Sequence, residues 1–282
     1  MSDRMKRIVV TPAGRKRYME LLLKHLKCQR EAFDEWHLWL NTMVQEDISW
    51  MQSLIPTHSS FIKLINAPGS NPKEGNWNIH RFFPMYTDLN TVYLRLDDDV
   101  VWLEPDFLEK MFSRREEDKS SFLVSANVVN NAICSHLVSK SGVIRPCGYE
   151  CMDHIGWKDP KYAEHVHRTF LNCVKTDALH SWKFNDKILE KGKRISINGI
   201  SWRGDTFAKF RGQVGRDEEK WLTVEAPPSW GPVVVNGSAI CVHFAFCTQR
   251  GHIDSTDLLH KYSELADQAR IAYCEKCLRR TP

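Results

Sequence analysis

The 282 residues are 42% hydrophobic and 11% aromatic, enough to bury a large core as one big α/β domain or as a domain with a small appendage. Thirty-nine basic against 35 acidic side chains leave a formal charge of +4, which gives no electrostatic footprint for nucleic acid, although a mild positive balance suits a phosphorylated ligand. No run of about 18 apolar residues occurs and no apolar signal core follows the polar start MSDRMKR, so the expectation is a soluble, cytoplasmic chain without a transmembrane segment.

In chain order, Lys6 to Thr11 has the apolar, β-branched character of a buried strand, and Pro12-Ala13-Gly14 is a turn feeding a periodic helix from about Arg15 to Leu26. A turn that opens a helix presents backbone donors to an anion, which makes Thr11, Gly14 and the basic Arg15 candidates for binding a nucleotide; a solvated basic helix start is the alternative. Glu35 to Asn41 is a candidate second strand, Ile48 to Leu54 a helix that Pro56 should end, and Phe61 to Ile65 a third strand. Strands alternating with helices predict a Rossmann-like, mostly parallel sheet flanked by helices, with ligands at the carboxyl ends of its strands. A loop rich in Gly, Pro and Asn, Ala67 to Trp77, precedes a short helix from Asn78 to Phe83 that carries Arg81.

The segment TVYLRLDDDVVWLE, Thr91 to Glu104, places three consecutive aspartates between two apolar runs. On an extended strand Asp97 and Asp99 would project to one face and Asp98 to the other. Clustered carboxylates beside a core need raised pKa values, a basic partner or a bound cation, and a hard divalent ion is the most economical of these. The plain alternative is an acidic cap on the helix expected from Asp106 to Glu117 behind Pro105. Arg81 and Arg95 are candidates to neutralise a phosphate or the aspartates. Ser121 to Val124 is a further strand, after which Asn127, Asn130 and Asn131 are placed to bond sugar hydroxyls. From about residue 140 to 202 the periodicity blurs, as in an insertion or lid, where Trp157, Trp182 and Trp202 offer stacking surfaces.

Asp217, Glu218 and Glu219 precede an apolar pair, which sets them at the first turn of a helix. Ala239 to Phe246 is an aromatic strand with His243 in its middle, and a terminal helix runs from about 256 to 280. The nine cysteines, an odd number without a dense framework, fit reduced thiols. The CxxC pair Cys274 and Cys277, with Cys241, His243 and Cys247 as paper ligands, is read as accidental spacing rather than a zinc site, as is the pair Cys147 and Cys151.

A hydrophobic strand, Asp-x-Asp and an apolar continuation resemble the metal and nucleotide-sugar signature of GT-A glycosyltransferases. RLDDDV with HFAFCTQ is similar to glycosyltransferases of large algal viruses and of bacteria that build surface glycans, which would place the chain in a host cytoplasm if viral. The resemblance implies one GT-A domain over residues 1–282, with a nucleotide-sugar half at 1–104 and an acceptor half at 105–282. It implies inverting, Mn²⁺- or Mg²⁺-dependent transfer of a pentose or hexose from a UDP-linked, or less favoured GDP-linked, sugar to a hydroxyl of a glycan or glycoprotein. Asp97, Asp99 and His243 are the implied metal ligands, with Asp97 also facing the ribose and Asp98 and Arg95 near the nucleotide. The base is implied in the Asp217–Glu219 block, Glu218 first, then Asp217, then Glu219, with Asp205 or Asp153 next in line. A haloacid-dehalogenase-like phosphatase or phosphotransferase, which also places Asp-x-Asp after a strand, and a non-catalytic sugar-binding module are the alternatives.

Overall fold

A computed structural model describes residues 4–278, with side chains as far as residue 269 and at residue 271. The expected α/β architecture is present: one central sheet flanked by helices. The chain opens with β1 (Lys6–Ala13), α1 (Lys16–Cys28), β2 (Glu35–Leu40), α2 (Gln45–His58) and β3 (Ile62–Ile65), the alternation expected from periodicity. It continues through β4 (Thr91–Leu96), β5 (Val100–Leu103), α3 (Phe107–Glu117), β6 (Leu123–Val129), α4 (Ala132–Ser139) and α5 (Pro160–Lys175). The last strands are β7 (Lys187–Ile188), β8 (Gly199–Arg203) and β9 (Val233–His243), before a C-terminal helix, Leu258–Leu278.

The sheet order is β3-β2-β1-β4-β8-β6-β9-β5, with β7 also paired to β9. β1 to β4 are mutually parallel, β6 and β9 run parallel to each other, and β8, β5 and β7 are antiparallel to the strands they join. From β1 the chain winds outward to β2 and β3 and then crosses back to lay β4 on the other side, so the order reverses between β1 and β4. Loops leaving adjacent parallel strands in opposite directions open a crevice at their carboxyl ends. The Asp97–Asp99 turn closes β4 at that end, beside Gly14 and Arg15 after β1.

Helix α1 buries Tyr18, Leu21, Leu22, His25 and Leu26, a helical-period stripe against the sheet. Two hydrophobic clusters form the core; the second joins α5, through Tyr162, Val166 and Phe170, to the C-terminal helix through Leu258, Tyr262 and Ala266.

Several expectations change. Pro56 does not end α2 but sits in its last turn, where its missing N–H removes one helical bond near an end that frays anyway. The strand expected at 121–124 is β6, which runs on to Val129 because Ser125 and Asn127, polar in the sequence, are buried and bonded. The region 140–202, expected as an insertion, divides: β7 and β8 enter the sheet, β8 between β4 and β6, and only short stretches of the rest reach the crevice. Trp182 and Trp202 are buried in the core, against Phe170 and Tyr93 respectively, so neither offers a stacking surface; Trp157 alone of the three borders the crevice. No helix among the described residues is long and apolar enough to cross a membrane.

Candidate active site

The crevice is a cavity of about 430 Å³. Its wall carries Gly14 and Arg15 from the β1 turn, Asn41 after β2, all three aspartates, Asn198 before β8, Glu218, and His243 with Arg250 from the end of β9 and the loop beyond.

Asp97 to Asp99 do not alternate as strand residues would. They form a turn, closed by the Val100 N–H donating to the Asp97 carbonyl at 3.1 Å, so Asp98 and Asp99 swing to one side together. Asp97 faces away from them: Arg95 donates to its Oδ1 at 2.9 Å and Asn198 to its Oδ2 at 3.2 Å. Arg15 bridges the other two, at 2.5 Å from Asp98 Oδ1 and 2.5 Å from Asp99 Oδ2. Asp99 Oδ2 also meets Arg250 at 3.1 Å and His243 Nε2 at 3.4 Å, while its Oδ1 is buried with no hydrogen-bond partner. Burial pushes the Asp98 carboxyl up to about 6 against the pull of Arg15. For Asp99 burial acts the same way but is outweighed by Arg15, His243 and Arg250, which hold it below the usual carboxylate range.

His243 is buried; its Nδ1 lies 3.3 Å from the Asn130 carbonyl, and its ring packs on Phe246 at 4.4 Å between centroids. Its Nε2 therefore points at the carboxylates, not into the apolar core. An orphaned buried oxygen, a second carboxylate and an imidazole nitrogen line one wall here, the kinds of donor Mn²⁺ takes, but among the described residues no three His, Cys, Asp or Glu side chains are grouped so as to hold a metal ion, and Arg15 fills the space between the two carboxylates.

The second acidic group lies on a single helical turn, Glu218–Lys220, with Asp217 as its N-cap accepting from the Lys220 N–H at 3.1 Å. Arg194 grips the flanking pair, bonding both oxygens of Asp217 at 2.9 and 3.0 Å and Glu219 Oε1 at 2.6 Å. Glu218 is free of that clamp and lines the cavity, as Glu219 and Arg194 also do; among the described residues only Arg95 forms an ion pair with it, at 3.6 Å. Burial raises the Glu218 carboxyl to about 7, with Arg95 opposing. Arg95 thus stands between Asp97 and Glu218, fully charged because these carboxylates outweigh its own burial.

Most other candidates fall outside the cavity. Thr11 is completely buried and accepts from the Trp36 indole at 3.0 Å, because its side chain faces the core beneath β2. Arg81 lies off the cavity wall, 3.7 Å from Glu74. Asn127, Asn130 and Asn131 are buried and bonded to backbone carbonyls of Trp182, Phe244 and Ser196, so they brace loops instead of meeting a sugar; Asn131 also positions Asn198 at 3.2 Å. Asp153 caps the turn at Ile155 and Gly156, and Asp205 is held by Arg203. Cys241 is buried in β9, Cys247 is exposed on the cavity wall, and the side chains of Cys274 and Cys277 lie outside those described; no disulfide joins the described cysteines. Sequence reasoning missed Arg194, Asn198 and Arg250, whose only local signal was a polar residue beside an apolar run.

No protein-family model and no curated protein sequence matches the chain. Among solved structures it is similar to S. aureus TarS residues 1–349, with 12% identity, a TM-score of 0.48, and coverage of 94% of this chain and 65% of that one. It is similar to Mycobacterium tuberculosis glucosyl-3-phosphoglycerate synthase in complex with Mn²⁺, UDP and glucosyl-3-phosphoglycerate, with 9% identity, a TM-score of 0.46, and coverage of 96% and 80%. The CMP:2-keto-3-deoxy-manno-octonic acid synthetase complexed with CTP is also similar, with 8% identity, a TM-score of 0.47, and coverage of 93% and 99%.

Proposed function

We propose that this chain is an inverting, metal-dependent glycosyltransferase of the GT-A type, moving a sugar from a nucleoside-diphosphate donor, UDP-linked by preference, to a hydroxyl of a glycan. The carrying observation is that of the two carboxylates of the acidic turn on the cavity wall, Glu218 and Glu219, Arg194 holds Glu219 together with Asp217 and leaves Glu218 unclamped, buried and raised to about 7 opposite the Asp97–Asp99 turn. A base with that pKa is about half ionised at neutral pH and takes a hydroxyl proton with useful driving force. Asp97, Asp98, Asp99 and His243 border the region where a divalent cation would sit. Bound there, the cation would supply Lewis-acid stabilisation of the charge that develops on the leaving diphosphate.

The chain's own residues divide the remaining work. Arg95, paired to Asp97 and facing Glu218, couples the two carboxylate groups and prevents them from repelling each other across the cavity. Asn198 and Arg95 hold Asp97 in one rotamer. Glu218 removes the acceptor proton as the glycosyl bond forms on the face opposite the departing diphosphate, a single displacement that inverts the anomeric carbon. Incubating the protein with UDP- and GDP-sugars and Mn²⁺, with free nucleoside diphosphate as the readout, tests the reading: release from at least one donor supports it, and release of inorganic phosphate alone, or of nothing from any donor, refutes it.

A further inference from the structure

We propose that Arg15 is the resident counter-ion of the cation site: its guanidinium occupies the seat between Asp98 and Asp99, and an entering divalent cation displaces it. The inference rests on the proposed function for the cation, and it moves the expected ligand set from Asp97, Asp99 and His243 to Asp98, Asp99 and His243.

The two carboxylates are adjacent in sequence, with side chains 7% and 4% exposed, and are turned to the same side. Two buried like charges at that separation require a cation between them, and in the free protein Arg15 is that cation, at 2.5 Å from each. The other arginines on the wall each have an anchor of their own, Arg194 on Asp217 and Glu219. Arg95 is fixed to Asp97, and Arg250 is anchored by the Ala245 carbonyl at 3.0 Å as well as by Asp99. The guanidinium of Arg15, among the described residues, meets these two carboxylates alone, and its side chain is 34% exposed where that of Arg95 is 4% exposed. Room for withdrawal adjoins it: a second hollow of about 360 Å³ is lined by Arg15 itself with Lys16, Arg17, Glu20, Glu46 and Asp47.

What remains when Arg15 withdraws is a donor set. Asp98 Oδ1 loses its ion pair, Asp99 Oδ2 keeps Arg250 at 3.1 Å but loses Arg15, Asp99 Oδ1 is buried and already without a partner, and His243 Nε2 lies 3.4 Å from Asp99 Oδ2. Asp97 contributes little, because both its oxygens accept from Arg95 and Asn198. A +1 guanidinium bound to flexible methylenes yields to a +2 ion that both carboxylates and an imidazole ligate at once.

The test is calorimetric titration of Mn²⁺ into the donor-free full-length protein, wild type, Arg15→Gln and Arg15→Lys, together with thermal unfolding in a chelator. Removing the competitor should tighten Mn²⁺ binding by roughly 10- to 100-fold in Arg15→Gln, the range of one partly screened ion pair. The same variant should unfold at a lower temperature in chelator, and saturating Mn²⁺ should close that gap. Arg15→Lys, which keeps the charge but not the two-pronged fork, should bind Mn²⁺ with intermediate affinity, and it carries the comparison if the glutamine variant does not fold. Wild type binding Mn²⁺ while both variants bind it equally or more weakly overturns the inference and leaves the transferase reading standing. No Mn²⁺ binding by any of the three, at millimolar concentration, overturns the cation reading itself and this inference with it.

Discussion

Glu218→Gln keeps the shape of the proposed base and removes its ability to take a proton. The residue is 8% exposed and, among the described residues, its ion-pair partner is Arg95 at 3.6 Å, which keeps Asp97 as a partner in the variant. A carboxyl raised to about 7 is roughly half protonated at neutral pH, so a neutral amide disturbs the fold little, by about 1 kcal/mol or less. Proton removal belongs to the transition state, so kcat should fall by roughly 10²–10⁴-fold, about 3–5 kcal/mol in barrier, with donor KM nearly unchanged. The wild-type rate should rise as pH increases through about 7, because Glu218 is active when ionised and burial delays that ionisation. This limb should vanish in the variant. Asp217→Asn and Glu219→Gln release part of the Arg194 clamp and should cost far less, Asp217→Asn the more of the two. Steady-state kinetics from pH 5.5 to 9 at saturating donor decide it: a Glu218→Gln enzyme within a fewfold of wild type, or one that loses donor binding and kcat together, refutes the assignment.

Asp99→Ala removes the shared acceptor of Arg15, His243 and Arg250, so transfer and Mn²⁺-dependent nucleotide binding should both be abolished while circular dichroism stays native; a variant that keeps its metal response contradicts the role given to the turn. His243→Ala should weaken Mn²⁺ affinity and slow transfer, and unchanged Mn²⁺ titration would assign the ring to packing on Phe246 instead. Stability should fall between pH 6.5 and about 4, because burial lowers His25 and His167 to about 4 and the unfolded chain takes protons that the folded one refuses. Each imidazole contributes up to about 3 kcal/mol to that loss, and urea midpoints that stay flat over this window contradict it.

The N-terminal half of the fold was legible because its strands are apolar runs and its helices carry a helical-period stripe, signals that are local. β8 was not legible: Gly199–Arg203 has a Ser and a Gly among its few residues, and its place between β4 and β6 is set by pairing with residues about 75 to 110 positions away. The three aspartates stood out as charge inside an apolar context, but strand alternation gave their directions wrongly because a turn follows β4. The acidic block 217–219 was visible as a helix start, whereas the partition among its members depends on Arg194 and Arg95, which reach it only in the folded chain. Thr11 shows the converse error, a polar residue in a strand that serves an indole in the core.

The central claim concerns which bond breaks and on which face. Following a turnover-competent donor by ¹H and ³¹P NMR, with water as surrogate acceptor, reads both at once. The account predicts an intact nucleoside diphosphate, a free sugar whose first-formed anomer is opposite to that in the donor, and no reaction in chelator. A nucleoside monophosphate with sugar phosphate, or a first-formed anomer that matches the donor, would contradict it.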